Sequence, residues 1–523
     1  MRTPLTPLDF ARRARRLYRD REAVVDGDLR LTYGQFLERC DRWSAALQGL
    51  GVRPGDRVAY IAPNTHANLE GYYAVPQIGA VLVPINYRLS AEEFAYIIQH
   101  SGAKVVCAHS DHIKAVDGIR GHLPEVEHFV ALEGGGEGWL DYEARLAEAP
   151  AEFDAPAIEE DDLLTINYTS GTTSRPKGVM ISHRNAWVNA VGTLAHHNLG
   201  PADRYLWTLP MFHANGWTFV WIMTACGGTH VCLRKVEPAE IFRLMDAERI
   251  SFFCAAPTVL ISIANAPKEL RDKAPRGIRL FTAGAPPAAA TIERVEGELG
   301  WDLTHVYGLT ETAPFITICE PRPEHAALSP SERAALKARQ GVELMTSGEL
   351  RVIDDNGDEV PWDGETQGQI TVRGNVVMTG YYNDREATEA AFRDGYFLTG
   401  DAAVVHPDGY VEIRDRIKDV IISGGENISS VEVEGVLLRH PAVQEAAVVG
   451  MPHPKWGESP HAFVIVKPES ELGEDELREF VRENLAHYKT PQWFSFVDEL
   501  PKTATGKIQK FVLRRGESSV QRQ

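Results

Sequence analysis

The chain has 523 residues, of which 44% are hydrophobic, 24% charged and 9% aromatic, a composition that indicates a globular protein and excludes collagen, coiled coil and intrinsic disorder. Its 73 acidic side chains outnumber 54 basic ones, and the net charge of -19 disfavours binding to nucleic acids and anionic membranes. The six cysteines form no Cys-x-x-Cys pair, so we expect free thiols in a reducing, cytoplasmic environment. Because no apolar run is long enough, we expect no signal peptide and no integral membrane association.

Alternating strand-like and helix-like patterns occupy the first 320 residues. Between residues 31 and 236, apolar runs such as 57–61 and 104–108 alternate with helical patterns such as 32–49. A second set of the same kind follows between residues 238 and 283. This rhythm is typical of βαβ units, in which helices cover a parallel sheet. We therefore expect an α/β fold with two α/β layers.

The pattern changes after Glu320. The pairs Asn356-Gly357 and Asp408-Gly409 separate alternating segments, as the turns of β-hairpins do, and predict antiparallel strands. Beyond Arg416, a candidate capping box at Ser429 and Glu432 precedes two helical stripes and two strand-like runs. These elements predict a small C-terminal α+β domain of about a hundred residues.

The segment 168–178 reads Tyr168-Thr-Ser-Gly-Thr-Thr-Ser-Arg-Pro-Lys-Gly178 and follows a strand-like run. Glycines and small hydroxylated residues leave backbone N–H groups and hydroxyls free to contact phosphate oxygens, and Lys177 adds a positive charge. The spacing is not that of a Walker loop, and a flexible surface loop is the alternative. We expect phosphate binding by Thr169, Ser170, Gly171, Thr172, Thr173 and Lys177.

Four further segments follow in order along the chain. They are Tyr307-Gly-Leu-Thr-Glu311, Tyr396-Phe-Leu-Thr-Gly-Asp401, Asp415-Arg-Ile-Lys-Asp419 with Ser423-Gly-Gly-Glu-Asn427, and Pro501-Lys-Thr-Ala-Thr-Gly-Lys507. Together with the segment 168–178 they resemble the class I adenylate-forming superfamily, which comprises acyl-CoA synthetases, adenylation domains of peptide synthetases and luciferases. The resemblance covers residues 31–514. Four segments, 210–217, 335–341, 423–429 and 506–510, make the chain most similar to fatty acyl-CoA synthetases and methylmercaptopropionate-CoA ligases.

This resemblance implies a large N-terminal domain (residues 1–417) of two α/β layers plus a small β-barrel-like subdomain. It also implies a small mobile α+β domain (residues 418–523), with a hinge near Lys418. The implied reaction joins a carboxylate to the α-phosphorus of ATP with loss of pyrophosphate, and then transfers the acyl group to coenzyme A with loss of AMP. We expect Mg²⁺ as cofactor, a medium- or long-chain fatty acid as substrate, and a possible homodimer. A short-chain or methylmercaptopropionate-type acid is the alternative.

The motifs also imply roles for individual residues. Glu311 resembles the family's metal-binding carboxylate and Thr169 the hydroxyl that assists it, because Mg²⁺ prefers hard oxygen ligands. Asp401 resembles the acceptor of hydrogen bonds from both ribose hydroxyls, and Arg416 its basic companion. A structural ion pair is the alternative for Asp401 and Arg416. Lys507 resembles the mobile lysine that bridges the acyl carboxylate and the α-phosphate.

The remaining assignments concern the surroundings of the reacting groups. His213 is expected at the start of a helix, bordering the acyl site with Ala214, while Trp217 resembles a gating tryptophan; core packing is the alternative for His213 and Trp217. The expected nucleotide contacts are His305, Val306, Tyr307, Thr310, Gly284 and Ala285, and the expected coenzyme A contacts are Lys418, Gly424 and Gly425.

One position departs from the family pattern, because Ser174 stands where a glycine usually follows the Thr-Thr pair. Three other functions stay open on the sequence. A luciferase-like oxygenase differs only in its second step, a peptide-synthetase adenylation domain is usually followed by a carrier domain, and an acyl or nucleotide sensor would have a degraded site. Ser174 alone supports the sensor, and the presence of Lys177, Glu311, Asp401, Arg416 and Lys507 argues against it.

Overall fold

The computed structural model describes residues 2–169, 175–468, 470–503 and 508–516. Within them, the largest sheet has nine strands and is parallel except at its two edges. Its order across the sheet is Val342–Glu343, Phe315–Ile318, Asp302–Gly308, Arg279–Thr282, Phe252–Ala255, Arg204–Leu206, Thr229–Val231, Glu22–Asp26 and Leu29–Thr32.

A second sheet of eight strands lies in the same domain and is parallel except for its first two pairs. Its order is Gly380–Tyr381, Lys177–Ser182, Leu163–Thr169, Val81–Ile85, Arg57–Ile61, Ala103–Ala108, His128–Ala131 and Leu140–Asp141. The two predicted α/β layers are confirmed. The chain starts in the nine-stranded sheet, builds the second sheet and then returns, so sheet membership does not follow the order of the two sequence patterns.

The helices start where the sequence supplies side-chain caps. Thr32, Ser90 and Ser182 each accept a hydrogen bond from the backbone three residues later, which satisfies an N–H group that the first helical turn leaves unpaired. The helices of the large domain are Leu8–Leu17, Tyr33–Gly49, His66–Ala74, Ala91–Ser101, Ser110–Asp117, Tyr142–Glu148, His183–His197, Phe219–Cys226, Pro238–Ala247, Pro257–Ala264, Lys268–Arg271, Ala289–Arg294, Pro330–Lys337 and Arg385–Ala390. Short 3₁₀ or π turns span Pro76–Ile78, Arg120–His122, Val295–Leu299, Thr310–Thr312 and Pro323–Ala327.

A five-stranded antiparallel sheet forms a subdomain that precedes the small C-terminal domain. Its strands are Glu349–Ile353, Gly368–Arg373, Phe392–Arg393, Tyr396–Val405 and Val411–Arg416. The turn at Asp408-Gly409 joins the last two strands as predicted. The segments on the two sides of Asn356-Gly357 form an isolated β-bridge between Ile353 and Glu359 and not a regular hairpin. The strand before the turn, Glu349–Ile353, pairs instead with Gly368–Arg373.

The small C-terminal domain is α+β, as predicted. Its strands are Ile421–Ser423, Glu426–Ile428, Val443–His453, Gly457–Val466 and Trp493–Phe496, and its helical segments are Ser430–Leu437, Glu474–Asn484, His487–Lys489 and Lys510–Arg514. Ser429 caps the first helix by accepting from the Glu432 backbone, but the Glu432 carboxylate pairs with Lys489 at 2.6 Å instead of closing a capping box.

The helix Phe219–Cys226 is buried almost completely and lies against the helices Leu8–Leu17 and His183–His197. Its backbone carbonyls accept hydrogen bonds from the core, since Tyr73 donates to Val220 and Tyr33 donates to Met223 at 3.0 Å. This anchoring matters because the predicted acyl-site residues immediately precede the helix.

In the described part of the chain, no helix has both the length and the apolar character that crossing a membrane requires. All six cysteines are buried and free. Burial raises the pKa of every one of these thiols, for Cys226 to about 11.

A network of charged side chains joins the two large sheets. Asp26 ends a strand of the nine-stranded sheet, and its carboxylate lies 2.7 Å from Nδ1 of His66, which begins a helix after a strand of the second sheet. Nε2 of His66 lies 3.5 Å from Glu143. The Arg234 guanidinium lies 3.3 Å from Asp26 and 2.6 Å from Glu133, so it supplies positive charge among these acidic groups.

The His66 contacts make stability depend on pH. Burial alone lowers the pKa of His66, but hydrogen bonds to Asp26 and Glu143 outweigh it and raise the pKa from 6.5 to about 9. The folded state therefore binds this proton more tightly than the unfolded chain. The stabilisation, about 3 kcal/mol, is complete below pH 6.5 and is lost as the pH rises to about 9.

We predict that His66→Gln lowers the melting temperature at pH 6.5, and that the gap to the wild-type protein narrows towards pH 9.5. Thermal unfolding of both proteins across this range measures the gap. A gap that stays constant with pH would contradict a charged His66.

Candidate active site

The Asp401 carboxylate is buried and has a partner on each oxygen. Asp401 lies opposite Arg416 in the antiparallel pair of the subdomain, and Arg416 Nε is 2.6 Å from Oδ1. The Tyr307 hydroxyl, from the end of a strand in the nine-stranded sheet, donates to Oδ2 at 2.6 Å. Asp401 is only 3% exposed, so the two partners offset the cost of burying its charge. The cluster thus joins the large sheet to the subdomain.

Tyr307 keeps its proton in this cluster. Burial, and then the charge of Asp401, raise the pKa of Tyr307 well above its ordinary value, so the hydroxyl remains a donor at neutral pH. A carboxylate offers about four lone-pair sites, of which Tyr307 and Arg416 use two. Asp401 therefore retains acceptor capacity for a further polar group.

Glu311 and Lys177 meet at the same tyrosine. Tyr381 donates its hydroxyl to Glu311 Oε1 at 2.9 Å, and the ammonium of Lys177 lies 4.9 Å from the centre of the Tyr381 ring. Lys177 is paired with Thr169 across adjacent strands. This arrangement brings Glu311, Thr169 and Lys177, which are far apart in sequence, to one edge of the eight-stranded sheet.

The donor set around Glu311 fits Mg²⁺. Tyr381 donates to one carboxylate oxygen of Glu311, and no other hydrogen bond to this carboxylate comes from the described residues. Thr169 ends the strand that pairs with Lys177. Mg²⁺ takes few protein oxygens and keeps several waters, so two oxygen donors suffice. Among the described residues, three side chains of metal-binding type lie close together only at Asp26, His66 and Glu133. There the guanidinium of Arg234 already balances the negative charge of the carboxylates.

Some predicted contacts lie outside the described residues. They are Ser170, Gly171, Thr172, Thr173 and Lys507, together with Ser174.

The predicted adenine contacts follow two neighbouring parallel strands. Thr282 pairs with His305, so Gly284 and Ala285 lie beyond the same sheet edge as Tyr307. Gly284 has φ +90, and no heavy atom lies within 4 Å of the place that a Cβ would take, which leaves its backbone accessible to a flat ring. His305 is buried and its Nδ1 lies 2.8 Å from the carbonyl oxygen of Arg339, so its ring is held by the backbone. Val306 is buried, and Thr310 begins the turn that carries Glu311.

The expectation of a helix starting at His213 is wrong. His213 is extended, and the five residues from Ala214 to Thr218 have φ between 36 and 66, which makes a left-handed turn. Left-handed backbone costs roughly 1–2 kcal/mol per residue for side chains other than glycine, and asparagine tolerates it best. The regular helix begins only at Phe219. Local sequence cannot reveal this reversal, because it depends on contacts from distant segments.

The left-handed turn places Trp217 in a row of aromatic side chains, His213, Trp217, Phe315 and Phe281, which we call the aromatic wall. Trp217 is 3% exposed, and its ring centre lies 5.7 Å from that of Phe315 and 6.5 Å from that of His213. Phe315 in turn packs on Phe281 at 6.2 Å. Ala214 is buried at the start of the turn.

The predicted coenzyme A contacts lie in the small domain. Gly424 and Gly425 have φ +62 and +92 in the turn between its first two strands, a conformation that favours glycine. The Trp456 ring covers Gly424 and is 40% exposed, and it stacks on His453 at 4.4 Å. Lys418 is exposed two residues after Arg416.

Sequence reasoning missed Tyr381, Asn167, Asn215 and Trp456. Tyr381 and Trp456 belong to none of the motifs, and only their contacts single them out. Asn167 and Asn215 are adjacent to or within recognised motifs, but a buried hydrogen bond between them is not visible in a linear pattern.

Two family matches cover most of the chain. Residues 10–382 match the AMP-binding enzyme family, and residues 432–507 match the AMP-binding enzyme C-terminal domain. Among curated relatives, 4-hydroxybutyrate–CoA ligase 2 of Metallosphaera sedula is 43% identical, and the alignment covers 98% of this chain and 94% of the relative. The peroxisomal acetate/butyrate–CoA ligase of Arabidopsis thaliana is 42% identical over the same shares of the two chains.

A solved structure shows the same architecture. The anthranilate CoA ligase AuaEII in complex with anthranoyl-AMP superposes with a TM-score of 0.89 at 28% identity, covering 98% of each chain. The fold, the order of the motifs and the two family matches agree. The chain belongs to the AMP-binding enzymes, the class I adenylate-forming superfamily that its motifs resemble.

Proposed function

We propose that the protein is an ATP-dependent, AMP-forming acid:CoA ligase for a short carboxylic acid. The observation that carries the proposal is the buried Asp401 carboxylate, held by Tyr307 and Arg416 and still able to accept ribose hydroxyls. Glu311 and Lys177, brought together by Tyr381, support a phosphate site at the edge of the second sheet.

The reaction must bring together two anions. A carboxylate oxygen of the acid attacks the α-phosphorus of ATP, the bond to pyrophosphate breaks, and an acyl-adenylate forms. Lys177 and Arg416 offset the phosphate charge, and we assign the same task to Lys507. Glu311 and Thr169 would hold Mg²⁺, which supplies further positive charge to the phosphates. The thiol sulfur of coenzyme A then attacks the acyl carbonyl, the thiol proton is released, and AMP leaves.

The names of the relatives favour a short or an aromatic acid over the medium- or long-chain acid expected from the sequence, and of these two classes we propose the short acid. Trp217 lies between His213 and Phe315, and we propose that these rings limit the chain length of the acid. Two relatives act, by name, on 4-hydroxybutyrate and on acetate or butyrate.

The defining experiment measures AMP release by purified protein with ATP, Mg²⁺ and acids from acetate to palmitate, with benzoate included, each with and without coenzyme A. An acid-dependent thioester and AMP establish the ligase. Acid-dependent adenylation without thioester formation when coenzyme A is present would favour an oxygenase or a carrier-linked function. Binding of the acid or of ATP without AMP release would indicate a sensor.

We predict that Asp401→Asn weakens the distinction between ATP and 2′-deoxy-ATP. If Asp401 accepts ribose hydroxyls, the wild-type protein prefers ATP by at least about tenfold in kcat/KM, and the variant loses most of this preference. Pyrophosphate exchange with both nucleotides measures it.

Tyr307→Phe is the matched control, because it removes a contact to the same carboxylate but leaves the charge. An Asp401→Asn variant with lower thermal stability and unchanged nucleotide preference would identify the cluster as a structural ion pair only.

We predict that Trp217→Leu shifts the acid preference towards longer chains, raising the octanoate-to-butyrate ratio of kcat/KM by about tenfold. The smaller side chain opens the aromatic wall. Trp301→Leu, a buried tryptophan in a separate core cluster, is the control and should keep the wild-type ratio. If Trp217→Leu and Trp301→Leu had the same octanoate-to-butyrate ratio of kcat/KM, Trp217 would lie outside the acid pocket.

We also propose the domain boundary between residues 417 and 418, with Lys418 as the hinge. Lys418→Pro fixes φ and restricts the preceding residue, so we predict that thioester formation falls at least about tenfold while pyrophosphate exchange changes less than about threefold. Lys418→Ala retains backbone freedom and should support both steps. An equal fall of both steps in Lys418→Pro would exclude a hinge role.

A further inference from the structure

Three buried polar side chains tie the left-handed turn to the strand Leu163–Thr169. Asn215 Nδ2 donates to Thr165 Oγ1 at 3.0 Å, and Thr165 Oγ1 donates to Asn167 Oδ1 at 2.7 Å. Asn167 Nδ2 donates to Asn215 Oδ1 at 3.2 Å and to the backbone carbonyl of Phe212 at 3.1 Å. The hydrogen bonds form a closed ring with one branch to the turn's backbone.

The network is shielded from solvent. Thr165 is 0% exposed, and Asn167 and Asn215 are each 3% exposed. Water therefore cannot replace a lost partner easily, and removal of one member leaves the others unsatisfied. Such a network favours one geometry strongly over its alternatives.

The turn needs support of this kind. Asn215 has φ 48 and ψ 51, which asparagine tolerates, but Ala214, Trp217 and Thr218 also have positive φ. Side chains of those types rarely adopt this backbone unless the surroundings impose it. The side-chain amide of Asn167 donates to the Phe212 carbonyl, which precedes the turn. It also donates to the side chain of Asn215, the second residue of the turn.

The strand on the other side of the network serves the nucleotide half of the site. It ends at Thr169, two residues after Asn167, and Thr169 pairs with Lys177. The turn carries the acid-side residues Trp217 and, immediately before it, His213. One polar network therefore spans the short distance between the two halves of the site.

We propose that Thr165, Asn167 and Asn215 are positioning residues that set the acid site at a fixed distance from the α-phosphate of ATP. The proposal rests on the proposed ligase function. A carboxylate and a phosphorus atom react fast only when held in a near-attack geometry, and small displacements are costly in rate. The network supplies that geometry without contacting either reactant.

The first test uses Thr165→Val, which removes the hydroxyl that joins the two asparagines. Its control is Thr317→Val, since Thr317 is also fully buried in a strand and donates to a backbone carbonyl, that of Gln340, at 2.7 Å. The probes are AMP and butyryl-sulfamoyladenosine, a stable analogue of the acyl-adenylate, with affinities measured by calorimetry.

We expect Thr165→Val to lose at least about tenfold in affinity for the analogue and less than about twofold for AMP. Its kcat for pyrophosphate exchange with butyrate should fall at least about tenfold, with KM for ATP within about twofold of wild type. Thr317→Val should lower the melting temperature and keep both affinities. Equal losses in the two variants, or equal losses for the two ligands, would overturn the proposal.

The second test separates the Asn215 amide from its backbone conformation. Asn215→Gly loses the amide but adopts positive φ freely, whereas Asn215→Ala loses the amide and adds backbone strain. We expect both variants to lose affinity for the analogue, with the larger fall in melting temperature for Asn215→Ala. Wild-type affinity in Asn215→Gly would show that the turn needs no network. A wild-type protein that binds this analogue no tighter than AMP would exclude butyrate as its acid, and the variants are then compared on the sulfamoyladenosine of the acid that gives most AMP release. The absence of AMP release with every acid would refute the ligase function, and the positioning proposal with it.

Discussion

The ion pair between Asp401 and Arg416 is the interaction on which the arrangement of the site depends. It is a cross-strand pair inside the subdomain, and Tyr307 reaches the same carboxylate from the nine-stranded sheet. A buried carboxylate with two partners is costly to separate from either of them. The strand that ends at Arg416 is thereby fixed to the nine-stranded sheet, and the hinge that we propose at Lys418 lies beyond it.

Further polar contacts lie next to Arg416 and within the small domain. Asp415 accepts from both the backbone N–H and the hydroxyl of Ser430, at 2.7 and 2.6 Å, at the start of the first helix of the small domain. In the same domain Lys510 pairs with Glu434 at 2.8 Å, and Arg514 reaches back to Asp419 at 2.9 Å. Of these contacts, the one between Asp415 and Ser430 links the strand Val411–Arg416 to the small domain, and both residues are buried.

Much of the fold and part of the site can be predicted from the sequence. Capped helices such as Tyr33–Gly49 and strands such as Arg57–Ile61 are encoded locally, so their positions agree with the structure within a residue or so. The motifs predict Asp401 and Arg416 as companions, and the short turn between His406 and Tyr410, which contains Asp408-Gly409, places them opposite each other. Contiguous motifs, short turns and caps carry this information within a few residues of chain.

The remainder depends on contacts between distant segments. Nothing near Glu311 predicts that Tyr381 donates to it, because the two meet only after the subdomain has been built. The prediction of a helix after His213 is wrong because a left-handed turn forms there. Asn167, from the distant strand Leu163–Thr169, holds the backbone next to this turn. Likewise, the strand Glu22–Asp26, which precedes the first predicted element, pairs with Thr229–Val231, some two hundred residues later in the chain.

The burial of all six cysteines has a chemical consequence for an enzyme that makes reactive acyl groups. A mixed anhydride is captured by thiolates, and the protein's own thiols are inaccessible and hard to ionise, with pKa values raised by burial. Self-acylation on sulfur is thereby suppressed, and an incoming thiol from solution meets no competitor of its own kind within the chain. Selectivity of transfer is in this respect a property of the core as much as of the catalytic cleft.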